Sequence, residues 1–424
     1  MIDHGVLQSI AGDYEASRGE AKFGLFAATL IVIKGIVSLA LFGYHSVFLN
    51  SGYVLGPLVG AVYMAGISYG SIRTSILATE VEESKQIKGY FVETIFELGE
   101  VMFPKNSKLK YLFAPALFVL TFLSLILIGV AVFLAMQLNL VQFFGFTELM
   151  AKLTIYIVAF VIILLIAEPE KLKLIAFIAL APVVFLSIAC PTIAAYQLSH
   201  ESSISHDLKA FDLNNLSLSI GYSISALEII GFILNIRRMF KDKRDFTKAC
   251  TVGFMVTSLL YLIPGLLIYL RFGRKMISIP LYYKAYSNFS MIALFDCLLT
   301  VTLLHALLGT VCFAMELFEK TTISRLLLRD ASSNLSHSKI VACRLLLLTL
   351  IALATYLMTD IQLVYSMSGI VVNSILGLIL PGLLGILRPI DIRDPNESRV
   401  VKYMDYGLVG LGVIAQIVYL VEMI

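Results

Sequence analysis

The chain has 424 residues, of which 59% are hydrophobic and 14% charged, and a mean hydropathy of +0.90. Soluble domains carry roughly 25% charged residues, so a chain of this length and polarity cannot cover itself with a solvated surface and belongs in lipid. The net charge of +3 is a small excess of 32 Lys and Arg over 29 Asp and Glu, held in short clusters between apolar stretches and not along one helix face, which excludes nucleic-acid binding.

Residues 1–23 carry Asp3, Asp13, Glu15, Arg18 and Glu20 and no apolar core, so they read as a polar tail and not as a cleaved signal peptide. A helix needs about 20 apolar residues to cross the hydrocarbon, where only helices and closed barrels satisfy their own backbone. The alternation of barrel strands is absent, which predicts an all-α integral membrane protein. That ruler predicts eleven spans, near 24–49, 54–75, 112–136, 152–167, 173–196, 216–236, 248–270, 288–315, 341–359, 361–387 and 404–423. The stretch from Phe23 to Leu49 is 27 residues, about 40 Å as a helix and about 10 Å more than the core, so it either tilts or is interrupted.

With the N-terminus in the cytoplasm, 25 of the 32 Lys and Arg fall on the cytoplasmic side and six on the other, with Lys34 inside the first span. This bias predicts a cytoplasmic N-terminus and an odd number of spans. The five cysteines, Cys190, Cys250, Cys297, Cys312 and Cys343, lie in or beside apolar segments with no CxxC spacing, which predicts small buried hydrophobes and no disulfide frame or zinc site. Span-flanking aromatics such as Tyr44, Tyr53, Tyr111, Tyr403 and Tyr406 are expected to anchor at the membrane interface.

Ionisable residues inside a span are expensive and are functional candidates by default. Here they are Lys34, His45, Glu228, Asp296 and His305. Glu228 lies mid-span in GYSISALEIIG (221–231), among Ser219, Tyr222, Ser223, Ser225, Gly221 and Gly231. Small and hydroxylated neighbours allow a helix to open and offer polar groups to a ligand, so Glu228 is either a coupling or ligand carboxyl or a structural one bonded to a neighbouring helix. Lys34 has a bland alternative, its amine snorkelling to the interface. His45, Asp296 and His305, the last beside Thr302 and Thr310, are further coupling candidates. The six histidines are scattered, with no HExxH pair, nucleophile elbow or phosphate-cradling loop, so no enzyme constellation is present and no metal site is expected.

The stretch KGIVSLALFGYHSVFLNSGYVLGP (34–57) resembles the first-helix motif of the amino acid/auxin permease family, through Lys34, Gly35, Leu41, Gly43, Asn50, Gly52, Leu55, Gly56 and Pro57. GYSISALEIIGFILNIRRMFKDKRDFTKACTVGFMVTSLLYLIPGLLIYLRFG (221–273) is similar to its sixth and seventh helices, including the proton-coupled amino acid transporter branch, and SGIVVNSILGLILPGLL (368–384) to its tenth. The resemblance implies a five-plus-five inverted repeat like that of bacterial leucine transporters, with helices 1–5 in 24–196, helices 6–10 in 216–387 and an extra helix at 404–423. It further implies that the first and sixth helices break in mid-membrane and bind an amino acid through freed backbone groups. Carried over by position, the site is Val37, Ser38, Leu39, Ala40 and Leu41 with Tyr222, Ser223, Ser225 and Glu228. The chain departs from the family where its first-helix GxG is Ser38-Leu39-Ala40, where its next proline is His45, and where its Pro-Leu-Glu is Asn235-Ile236-Arg237. Losing two glycines removes the residues that best tolerate an unwound backbone, although Ser38 and Ala40 remain small.

The leading expectation is a secondary transporter of amino acids or related small solutes, working by alternating access with proton coupling or with sodium, and with no cofactor. A non-transporting amino acid receptor on the same fold is the alternative. The plasma membrane and a vacuolar or lysosomal membrane are both open as locations.

Overall fold

A computed structural model of the chain describes residues 29–30, 32–33, 36–37, 40–84, 92, 95–102, 109–165, 205, 207–227, 233–238, 243–273, 289–319, 337–389, 392 and 397–424. In chain order the helices are α1 (Ala40–Gly43), α2 (His45–Ser51), α3 (Leu55–Ser84), α4 (Ile95–Met102), α5 (Leu109–Phe144), α6 (Glu148–Leu165) and α7 (Leu216–Ala226). They continue with α8 (Ile233–Arg238), α9 (Lys243–Phe272), α10 (Phe289–Glu319), α11 (His337–Leu357), α12 (Ile361–Leu387) and α13 (Arg399–Met423). Among the described residues seven helices are long and apolar enough to cross a membrane, namely α3, α5, α6, α9, α11, α12 and α13, while α7 and the Cys297–Cys312 part of α10 are shorter apolar helices. The expected span at 173–196 lies outside the described residues.

The helices form two packed groups. In one, α5, α6, α10 and α11 pack on each other; in the other, α1, α2, α3, α7 and α9 do. Helix α12 packs on both groups, against α5 on one side and α7 and α3 on the other, and α13 lies along α12 and touches α7 and α3. The packing of α7 on α12 is a backbone-to-backbone approach: a Cβ on Gly221 would strike the Ser366 carbonyl, and one on Gly369 would strike the carbonyl of Gly221. Only glycine permits such closeness, and it lets the two helices exchange side-chain bonds at short range.

Several expected spans were too short. Helix α3 runs on to Ser84 past the expected end at 75, and α13 begins at Arg399, before 404. Both extensions carry charges, which end a hydropathy run but not a helix: Glu82 of α3 is buried against Arg237, whereas Arg399 and Lys402 of α13 are exposed. The expectation of buried cysteines holds for Cys250 alone among those described: Cys297 is exposed, and Cys312 and Cys343 are half-buried, so on these helices a thiol also sits on the outer surface. Cys190 lies outside the described residues.

Candidate functional site

Two helices stop within the apolar part of the chain. The first span is helical at Ile36, leaves helical geometry at Val37, and resumes as α1 at Ala40, with a further turn at Tyr44 before α2. The second stop is at the end of α7, where Leu227 departs from helical angles and its N–H bonds to the Ser225 carbonyl. A helix end leaves carbonyls without intrahelical partners. At the first break the Tyr261 hydroxyl donates to the Ile36 carbonyl at 3.0 Å. At the second the Tyr365 hydroxyl donates to the Ser225 carbonyl at 2.9 Å, and the Ser225 hydroxyl donates back to the Tyr365 carbonyl at 2.8 Å.

Between the breaks lies a buried polar–aromatic cluster. The Ser223 hydroxyl donates its one proton to the Ser219 carbonyl at 2.8 Å, so in its 3.1 Å contact with Tyr44 the tyrosine is the donor. The Tyr44 ring stacks on Tyr261 at 5.7 Å and meets Tyr222 edge-on at 6.1 Å, while Tyr222 approaches Tyr365 at 4.7 Å. The Tyr222 hydroxyl lies in a notch left by Gly43, where a Cβ would overlap it. Ser219 donates to the Val47 carbonyl at 2.9 Å and Ser366 to the Leu218 carbonyl at 2.9 Å, fastening α7 to α2 and to α12.

Of the expected site residues, Val37, Ala40, Tyr222, Ser223 and Ser225 are all buried in this region. The side chain of Leu41, on α1, and all of Ser38, Leu39, Glu228 and Lys34 lie outside the described residues. His45 is buried on α2, at 2% exposure. His305 is half-buried on α10, and its neighbours Thr302 and Thr310 turn their hydroxyls onto the Leu298 and Ala306 carbonyls of their own helix. Asp296 belongs to α10, its side chain lying outside the described residues.

Tyr44 overturns its expected role: it is 1% exposed and sits at the centre of the cluster, because a helix interrupted at Val37 does not place its residues at the depth that counting along the span suggests. Tyr53, Tyr403 and Tyr406 are exposed, as interface anchors are, and the side chain of Tyr111 lies outside the described residues. Tyr365 was missed altogether, since a tyrosine inside an apolar run carries no signal of its own.

Three further polar devices were not foreseen. Helix α12 is π-helical over Ser368–Asn373 and again over Ile375–Ile379, a geometry that is rare and concentrates at functional sites. Fully buried Asn373 accepts there from Ser124 of α5 at 2.6 Å, and the Ile370 carbonyl takes bonds from Ser374 and from Gln416 of α13. At the end of the bundle that holds the basic clusters, Arg73 grips Asp405 through two bonds of 3.0 and 2.9 Å and Glu397 at 2.8 Å, while Arg388 pairs with Glu80 at 2.5 Å and with Glu397. Nearby, Arg237 grips Glu82 through bonds of 2.8 and 2.9 Å, and Glu82 also accepts the Val92 N–H at 2.9 Å. Among the described residues no three His, Cys, Asp or Glu side chains are placed to hold a metal ion.

The fold and the sequence both have known counterparts. A mutant of the Eremococcus coleocola manganese transporter superposes with a TM-score of 0.55 over 92% of this chain and 85% of its own, at 13% identity, so the two share a fold. Residues 21–424 match the family described as transmembrane amino acid transporter protein. With a match over nearly its whole length and a transporter's fold, this multi-pass membrane protein is a transporter and not an enzyme, and it belongs to the transmembrane amino acid transporter family.

Proposed function

We propose that the chain moves an amino acid or a closely related solute by alternating access, coupled to protons. One observation carries this reading: two helices stop inside the apolar bundle, at Val37 and after Ala226, and both ends abut one cluster of tyrosines and serines. Interrupted helices that expose backbone groups at mid-depth are how transporters bind small polar solutes without a dedicated charged pocket. The two helix groups bridged by α12 supply bodies that can rock against each other.

In this reading the bundle has eleven spans, with residues 24–196 and 216–387 as inverted repeats and 404–423 as an added helix, and a cytoplasmic N-terminus. The solute sits between Val37–Leu41 and Tyr222–Glu228. Glu228 is the first coupling group to test, ahead of His45, Asp296 and His305. The plasma membrane and a vacuolar or lysosomal membrane both suit the reading.

The test is uptake of the twenty radiolabelled L-amino acids into proteoliposomes across an imposed pH step. One pH unit is worth about 1.4 kcal/mol, so one coupled proton drives up to about tenfold accumulation per unit. We expect at least one amino acid to accumulate with the step, and Glu228→Gln to abolish the pH dependence while the protein still folds. Binding without uptake would point to a receptor, and neither binding nor uptake of any amino acid would sink the proposal.

A further inference from the structure

The two breaks are closed by the same device. Ile36 is the last helical residue before Val37, and its carbonyl is held by the Tyr261 hydroxyl; Ser225 is one residue from the end of α7, and its carbonyl is held by the Tyr365 hydroxyl. Tyr261 is 0% and Tyr365 2% exposed, so neither bond competes with bulk water. The hydroxyls come from different helices, α9 and α12, yet their rings are the two ends of one run, Tyr261–Tyr44–Tyr222–Tyr365, with centroid spacings of 5.7, 6.1 and 4.7 Å.

A carbonyl at a helix C-terminus lies at the negative end of the helix dipole and favours a cation over a neutral donor. Charge-assisted hydrogen bonds are roughly twice as strong as neutral ones. A phenol hydroxyl is therefore a second-best partner at each break, adequate while nothing better is present.

We propose that the Tyr261 and Tyr365 hydroxyls are internal stand-ins for the ammonium group of the solute: each satisfies its carbonyl in the empty site and yields it when an N–H-bearing cation enters. The assignment rests on the amino acid reading above. It makes both tyrosines positioning residues that set affinity and selectivity. A solute with no ammonium group gives these carbonyls no donor in exchange, so it occupies the site only with the hydroxyls still in place and gains nothing from their removal. The hydroxyls compete with the ammonium group alone, so removing one weakens the competitor and tightens binding of ammonium-bearing solutes.

Tyr261→Phe and Tyr365→Phe keep the rings and delete the hydroxyls. For the unaltered chain, each variant and the double variant, uptake of the twenty radiolabelled L-amino acids is measured in proteoliposomes, with competition by the des-amino carboxylic acid of each amino acid carried. We expect KM for carried amino acids to fall roughly two- to tenfold in each single variant, the worth of one neutral hydrogen bond, and further in the double variant. Half-inhibition by the des-amino acids should stay unchanged. A hydroxyl that merely holds the fold would lower thermal stability and maximal rate without this contrast, so an unchanged or raised KM, or an equal gain by the des-amino acids, overturns the assignment. The two hydroxyls sit on different helices, so if one variant fails to fold the other decides; failure of both to fold also overturns the assignment, because hydroxyls required for folding cannot be yielded to a solute. If the unaltered chain takes up amino acids and both variants keep its KM, only this assignment fails. If it neither takes up nor binds any, the transport reading fails with it.

Discussion

Arg237 and Glu82 are 1% and 3% exposed at their side chains, and two hydrogen bonds join them. Arg237 also donates to Thr79 at 2.7 Å, and Glu82 accepts from the Val92 backbone, so the pair ties Val92, three residues before α4, to α3 and α8. Breaking a buried pair from one side leaves an uncompensated charge, at a cost of about 3–5 kcal/mol. Arg237→Met is therefore expected to lower the thermal unfolding midpoint in detergent markedly, and adding Glu82→Gln should recover part of the loss instead of doubling it. A strictly additive double variant would show that the two side chains are not coupled. None of this was legible in the sequence, where Arg237 reads as one of a basic cluster that signals orientation. Glu228 stands out in the sequence, as an acid among serines and glycines in an apolar run, but it lies outside the described residues.

At the scale of the element, long helices declare themselves because the bilayer demands about 20 apolar residues in a row, and α5, α9 and α12 follow runs that no other structure could accommodate. Their irregularities are less visible. The end of α7 is foreshadowed by Ser219, Ser223 and Ser225, but the π-helical part of α12 has no compositional mark, since SGIVVNSILGLI reads as any apolar helix. What sustains it is tertiary: the Gln416 amide donates to the Ile370 carbonyl and, at 2.7 Å, to Ser374. Gln416→Leu removes both bonds at little change in volume. We expect residues 368–379 to exchange backbone amide hydrogens at least several-fold faster in that variant, while α5 is unaffected; equal rates in both would mean that packing alone maintains the π geometry.

At the scale of the whole molecule, α13 is fastened at three levels. Asp405 holds Arg73 of α3 at one end, Gln416 meets α12 in the middle, and Glu422 accepts the Ser217 N–H at 3.0 Å and its hydroxyl at the other end. The last of these places a carboxylate on the first turn of α7, where the helix dipole favours it and where Asn215 provides no side-chain cap. A helix expected from the sequence as an appendage to two repeats is thus a strap across α3, α7 and α12. Removal of residues 399–424 is expected to abolish the single symmetric peak in size-exclusion chromatography, because it takes Asp405 from the buried Arg73, leaving Glu397 and Glu80 as its partners, and removes the ties to α7 and α12. A truncated protein that stays monodisperse with an unchanged melting point would show that these ties carry little.

Arg73 and Asp405 are 332 residues apart in the chain. At roughly 5–20 residues per second, synthesis brings the aspartate into being some 20–70 seconds after its guanidinium partner has emerged. For that interval the arginine has only Glu80 of its own helix, 3.6 Å away, as a carboxylate partner, and its bonds to Glu397 and Asp405 wait for the end of the chain. The tie between α3 and α13 is accordingly among the last contacts that the chain can complete, although one of its two ends is among the first parts made.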